Sequence, residues 1–383
     1  MRICPTCAAS YPSGLTFCPR DGTPLPETPA PALTSPTDPL IGRVIAGRYQ
    51  LLAFLGGGTM GVVYRASHNV LEREFAVKLL RREFCEDEKT LRRFFREAKV
   101  ASLVDHDNIV RIHDFGQTED QDPYLVMEYV TGVTLFKLIT ESPGGHLPLS
   151  RALDIMHQVA RALAHAHARG VIHRDVKPEN IVLTREGERE DFVKILDFGV
   201  AKILGQQAIS AAGEVLGTPE FLAPEGLLGT EVGAPADLYA LGAMLHDAII
   251  GSPPFSGGLR DLLHQHLAAT PKLLSERRPE LRVPPALDQL TQRLLAKDPK
   301  ARPTGEEAAA QLTQIRATLN ERPDRIDPTR TVMMTRGGDA SLQLPARLLS
   351  KMDPAPPDAP PSVIVSQSLQ LPQPRPGDQR QQQ

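Results

Sequence analysis

The sequence predicts an α+β protein of two lobes, a small strand-rich lobe with one helix followed by a larger helical lobe, set between short appendages. Three observations predict it. Strand-type alternation starts at Tyr49-Gln50-Leu51-Leu52 and dominates the next ~80 residues, and from about residue 150 onward apolar residues recur at three- and four-residue spacing. Globular composition also holds from about residue 48 to about 316 and gives way on both sides to Pro-rich sequence. The chain therefore divides into a cysteine-bearing segment (1–25), a Pro-rich linker (26–47), a main domain (48–316) and a Pro/Gln-rich tail (317–383), which lacks periodicity and is expected to be disordered.

Composition narrows the function classes. Of 383 residues, 41% are hydrophobic and 23% charged, which excludes a wholly disordered, collagen-like or membrane-embedded chain. The net charge is −3 and no long Lys/Arg run occurs, so nucleic acid is not an expected partner. The first residues lack the apolar stretch of a signal peptide, and no segment offers about 18 uncharged apolar residues in succession, so a cytoplasmic protein without a membrane span is expected.

Each element has its own signal. Strands are expected at 49–55, 61–66, 74–80, 111–115 and 124–129, with an amphipathic helix at 88–103. Helices are expected at 150–169, 236–250, 259–269 and 286–295; Ser150 is placed as the N-cap of the first and Gly170 as its stop.

The motifs that carry chemistry lie on these elements. Gly56-Gly57-Gly58-Thr59-Met60-Gly61-Val62-Val63 sits between two strands, as a hairpin turn or as a backbone that lies close over phosphates. Lys78 stands inside the apolar strand Phe75 to Leu80, where an ammonium is costly to bury unless an anion meets it. Glu97, on the first helix, is a carboxylate partner for Lys78 or a solvated charge paired with Arg93. Further on stand His173-Arg174-Asp175-Val176-Lys177-Pro178-Glu179-Asn180, Asp197-Phe198-Gly199 and Ala223-Pro224-Glu225.

With these motifs in this order, the chain resembles the eukaryotic-type protein kinases over about residues 48–316, and within them the bacterial (Hanks-type) serine/threonine kinases. The resemblance implies the bilobal protein-kinase fold and transfer of the ATP γ-phosphoryl group to Ser or Thr hydroxyls of proteins, autophosphorylation included, in bacterial signal transduction. It implies that Asp175 orients the substrate hydroxyl, that Lys177 neutralises the moving phosphoryl group, that Lys78 grips the α/β-phosphates and that Glu97 holds Lys78. Asn180 and Asp197 become the Mg²⁺ ligands. The ATP pocket is assigned to Leu55, Gly56, Gly58, Gly61, Val63, Ala76, Lys78, Met127, Glu128, Val130 and Val182, with adenine between Val63 and Ala76 above and Val182 below. Arg302 is placed as the buried partner of Glu225, against the alternative of a surface arginine. Arg174 implies an activation loop ordered by phosphorylation, and Ser210 is the only hydroxyl residue between Gly199 and Gly217. Tyr239 stands where many members of the family carry Trp. Two copies of the chain are the expected partners for autophosphorylation in trans.

The N-terminal Cys4-Pro5-Thr6-Cys7 and Cys18-Pro19-Arg20-Asp21 resemble the knuckles of a zinc ribbon with Asp21 at the fourth position. Zn²⁺ held by Cys4, Cys7, Cys18 and Asp21 and a degenerate ribbon of free thiols are the two readings. Either makes this segment, like the tail, a protein-contact element. Two rival functions are a scaffold that has lost catalysis and an adaptor that works through its appendages.

Overall fold

The computed structural model describes residues 2–3, 10–11, 38–58, 61–81, 88–198, 219–230 and 232–320. Two compact units divide the chain, Met1–Arg43 and Val44–Gln383. In the first, β1 (Arg2–Ile3) pairs antiparallel with β2 (Ser10–Tyr11). Cys4, Cys7, Cys18 and Asp21 lie outside the described residues, and the expected zinc site with them.

The second unit begins with an antiparallel sheet. Its strands are β3 (Val44–Ile45), β4 (Tyr49–Gly58), β5 (Gly61–His68), β6 (Glu74–Leu80), β7 (Ile112–Gln117) and β8 (Pro123–Glu128), in the order β3-β4-β5-β6-β8-β7. The expected strand 49–55 runs on through the glycines, because the ladder continues as Gly56↔Val63, Gly57↔Val62 and Gly58↔Gly61. The glycine-rich segment is therefore the end of a hairpin. Every residue of β6 from Phe75 to Leu80 is buried. The helix α1 (Glu88–Ala101) presents Phe94 and Ala98, one turn apart, to a small core with Val63, Ala76, Leu80 and Leu125.

The helical part follows β9 (Val133–Thr134). It contains α2 (Leu135–Glu141), α3 (Leu149–His167), α4 (Pro224–Leu227), α5 (Ala234–Ile250), α6 (Leu259–Ala268), α7 (Leu274–Arg277), α8 (Pro285–Leu294) and α9 (Gly305–Asn320). Helix α5 is buried on all sides, as its near-continuous apolar sequence requires, and α3, α7 and α8 pack against it. Two expected caps move. Helix α3 starts at Leu149 with Pro148 as N-cap, so Ser150 falls inside the first turn, where Pro148 already fixes the entry backbone. Gly170 adopts φ +73°, but the cap is Ala168, and the glycine closes the turn two residues later.

One element is absent from the sequence expectation and decisive for the site. The hairpin β10 (Ile181–Glu186) and β11 (Arg189–Ile195) interrupts the helices, with β9 along its other edge.

Candidate active site

A cleft between the antiparallel sheet and the helical part encloses about 480 Å³, part of it open to solvent, within the range of small-molecule sites. Leu55, Val63, Ala76, Met127, Glu128, Val130 and Val182, all assigned from sequence, line it together with Asp197. Val110, Tyr129, Gly132 and Leu196 line it too and were not assigned. The structure gives the reason for Gly132: a Cβ there would stand 2.3 Å from the Leu183 carbonyl oxygen, so only glycine lets the chain pass β10 beside the cleft. Gly61 is explained in the same way. Its added Cβ would meet the Leu79 carbonyl oxygen at 2.2 Å, so this glycine answers to its neighbour strand as well as to any phosphate.

The loop from His173 to Asn180 is held from beneath by Asp237, on α5, which is 1% exposed. The amides of His173 and Arg174 donate to its two carboxylate oxygens at 2.8 Å each, and His167 Nε2 donates to Oδ2 at 2.8 Å. Arg174 consequently sits at φ +65°, a strained conformation for a non-glycine residue that the two amide bonds hold in place. The Asp175 amide donates to His173 Nδ1, so the proton lies on Nε2, which donates to the Leu196 carbonyl at 2.7 Å. The sequence expectation covered Asp237 only as part of the helix 236–250. A lone carboxylate in an apolar run was the signal that it has partners inside.

Asp175 is the hub of the polar groups. Its Oδ2 accepts from Lys177 Nζ at 3.0 Å and from Asn180 Nδ2 at 3.0 Å, while Asn180 Nδ2 also reaches the Asp175 carbonyl at 2.8 Å. Burial alone would lower the Lys177 ammonium, but Asp175 outweighs it and holds the group above its ordinary value, charged at neutral pH.

The hairpin β10–β11 brings the second acid to the first. Its register pairs Ile181 with Ile195, so the residues just outside the pair, Asn180 and Leu196, are bonded backbone to backbone at 2.8 Å, and Asp197 follows at φ +52°. Asn180 uses its amide nitrogen on Asp175, which leaves its side-chain oxygen. Asp197 uses Oδ1 on Lys78 at 3.0 Å, which leaves Oδ2. This all-oxygen set suits a hard cation such as Mg²⁺. Burial would raise the Asp197 carboxyl, but Lys78 prevails and the carboxyl is held below its usual range.

The ion pair expected between Lys78 and Glu97 is not the one formed. The Lys78 ammonium, 9% exposed in its strand, takes the carboxylate it reaches at 3.0 Å, Asp197. Glu97 on α1 pairs with its neighbour Arg96 at 3.2 Å, and not with Arg93. Arg302 fulfils its expectation: its guanidinium meets Glu225 through two bonds of 2.6 and 2.8 Å. Tyr239 is fully buried, its hydroxyl 2.9 Å from His266 Nδ1. Gly199, Ser210 and Gly217 lie outside the described residues. Among the described residues no group of three or more His, Cys, Asp or Glu side chains forms a metal cage, and no helix is long and apolar enough to cross a membrane.

Beyond the loop from His173 to Asn180, Asp247 near the end of α5 has its carboxyl raised to about 6, first by burial and then by the charges of Glu179 and Glu220. A carboxyl raised in the folded state costs stability in its ionised form. The native state therefore loses stability as pH rises from the unfolded value near 4 through about 6. Asp247→Asn is expected to raise unfolding free energy by up to ~3 kcal/mol at pH 7.5, with the gain vanishing near pH 4. Urea melts of both proteins at the two pH values check this; a gain independent of pH contradicts it.

Comparison with known proteins agrees with this geometry. The model of the protein kinase domain matches residues 49–314. The chain is 41% identical over 282 residues to serine/threonine-protein kinase pkn3 of Myxococcus xanthus, an alignment covering 72% of this chain and 51% of pkn3. It is 42% identical over 262 residues to PrkC of Bacillus subtilis, covering 68% of this chain and 39% of PrkC. With PknA of Mycobacterium tuberculosis it shares 36% over 310 residues, 79% of this chain and 68% of PknA. The alignments thus span about half of pkn3 and less of PrkC. The crystal structure of the M. tuberculosis PknI kinase domain superposes with a TM-score of 0.58 at 30% identity, covering 72% of this chain and 98% of that domain.

Proposed function

The chain belongs to the protein kinase family, and from that premise we propose that it is a bacterial serine/threonine kinase that moves the γ-phosphoryl group of ATP to protein hydroxyls. The observation that carries the reading is the meeting of Lys177 and Asn180 on the Asp175 carboxylate, each at 3.0 Å, with Asp197 lining the cleft. Protein kinases use ATP and Mg²⁺. Asn180 and Asp197 would hold the metal, which when bound would supply positive charge against the phosphates.

In this reading the apolar walls, Val63 and Ala76 against Val182, hold the flat base of the nucleotide. Asp175 accepts a hydrogen bond from the incoming hydroxyl, orients it and takes its proton late in the transfer. Lys177, charged and already bonded to Asp175, offsets charge on the migrating group. Lys78 supplies a positive charge to the remaining phosphates, and Glu97 is its partner when α1 approaches. Residues 1–25 are read as a zinc-ribbon-like module for protein contact, and two copies of the chain as partners in trans. Incubating the full chain and casein with γ-labelled ATP and Mg²⁺ tests the function. Label is expected on serine and threonine and is lost on chelation. Nucleotide binding without label in either protein refutes it.

A further inference from the structure

Helix α6 turns Leu262 and His266 into the core and leaves a row of leucines outside it. Leu259 is 43% exposed, Leu263 half-buried and Leu267 37% exposed. Spaced four residues apart, the three side chains form one ridge that climbs the helix in steps of about 6 Å. The neighbouring α4 ends at a further leucine, Leu228, which is 64% exposed. Single exposed leucines are ordinary on a protein surface, but a ridge of them along one helix is an apolar face that lacks a cover.

The chain itself contains a segment of matching pattern. Ser-Leu-Gln-Leu-Pro occurs twice beyond Asn320, at residues 341–345 and again at 368–372, both outside the described residues. Five identical residues in succession are not expected to recur by chance in so short a stretch. In an extended peptide the two leucines of this sequence project to one side about 6.6 Å apart, while Ser and Gln project to the other. That step matches the rise between successive leucines of the ridge, so two leucines of the peptide can seat among three of the helix. None of the five residues is charged, as an apolar face requires. The stretch from Asn320 to Ser341 can span about 70 Å, against about 50 Å for the width of a folded unit of this size, so the first copy reaches α6 from wherever α9 ends. A second whole chain suits the face less well. A stable dimer buries about 1,200 Å² or more, which three or four leucines do not supply.

We infer that the leucine ridge of α6 is the dock of the chain's own tail, and that residues 341–345 and 368–372 are the two segments that occupy it in turn. The inference goes beyond the proposed activity and does not rest on it. Two copies of the segment compete for one ridge, which raises the local concentration of the motif and keeps the ridge covered when either copy leaves. The dock ties the tail to the part of the chain that carries Asp175.

The test uses the full chain with both segments silenced, Leu342→Ala/Leu344→Ala/Leu369→Ala/Leu371→Ala, and a fluorescent peptide of residues 338–347. Anisotropy is expected to show the peptide binding this variant, and binding the wild-type chain at least tenfold more weakly because the wild-type tail competes. A peptide with Leu342→Ala/Leu344→Ala should also bind the silenced chain at least tenfold more weakly. Adding Leu259→Glu/Leu267→Glu to the silenced chain, with the fold confirmed by its melting curve, should abolish binding. In the wild-type chain, amide exchange at 341–345 and 368–372 should be slowed, and the same two Glu substitutions should speed it. Absence of peptide binding to the silenced chain overturns the dock, as does binding that survives the Glu pair. So does a wild-type chain that sediments as a dimer, becomes a monomer with the Glu pair and ignores the peptide, because the ridge then belongs to a second copy. Every reading is of binding, so the outcome is independent of whether the chain transfers label to casein.

Discussion

Asp175→Asn is expected to lower kcat for protein substrate by about 10²- to 10⁴-fold, the span that a positioned general base contributes. The substitution keeps the size and shape of the side chain, so Asn180 and the loop amides retain their places. It removes the charge that Lys177 and the incoming hydroxyl both use. Lys177 loses the carboxylate at 3.0 Å that offsets its burial, and its ammonium becomes less favourable at the point where phosphoryl charge has to be met. ATP affinity should change little, since the cleft walls lie on the sheet and on β10. Steady-state kinetics with casein, nucleotide titration and melting curves separate the three effects. A variant keeping more than about a third of wild-type kcat removes Asp175 from the role given to it.

The residues of the hub were named in the sequence through the resemblance to the protein kinases that the motifs carry in order, since a single acid on a loop is common and identifies nothing by itself. Its assembly was less legible. Asn180 and Asp197 stand together because of the β10–β11 pairing, and that hairpin is built from a short apolar run that periodicity alone does not separate from a helical segment. Asp237 was visible as a residue and invisible as a function, since its work is to hold two amides from a loop more than sixty residues earlier. The Lys78–Glu97 pairing was misjudged for a further reason. Sequence named Glu97 alone as the carboxylate for this ammonium and gave Asp197 to the metal, whereas in the structure Lys78 pairs with Asp197 and Glu97 with Arg96.

Arg302→Met is expected to destabilise the main domain by about 3–5 kcal/mol, the cost of leaving a buried carboxylate without its partner. The guanidinium side chain is fully buried and that of Glu225 is 8% exposed, so water cannot replace the lost bonds. The same guanidinium also donates to the carbonyls of Pro235, Ala296 and Lys297 and lies 4.9 Å from the Tyr239 ring. It thus ties α4, the start of α5 and the segment after α8 at one point. Because α5 carries Asp237, loosening this point should reach the strained backbone at Arg174 and lower kcat as well as stability. The double variant Glu225→Met/Arg302→Met removes the orphaned charge and should recover part of the loss, since a buried ion pair replaced as a unit costs far less than one broken. Denaturant melts of the wild type, the two single variants and the double variant supply the cycle. A loss below about 1 kcal/mol in the Arg302 variant, the scale of an exposed pair, contradicts the bracing role.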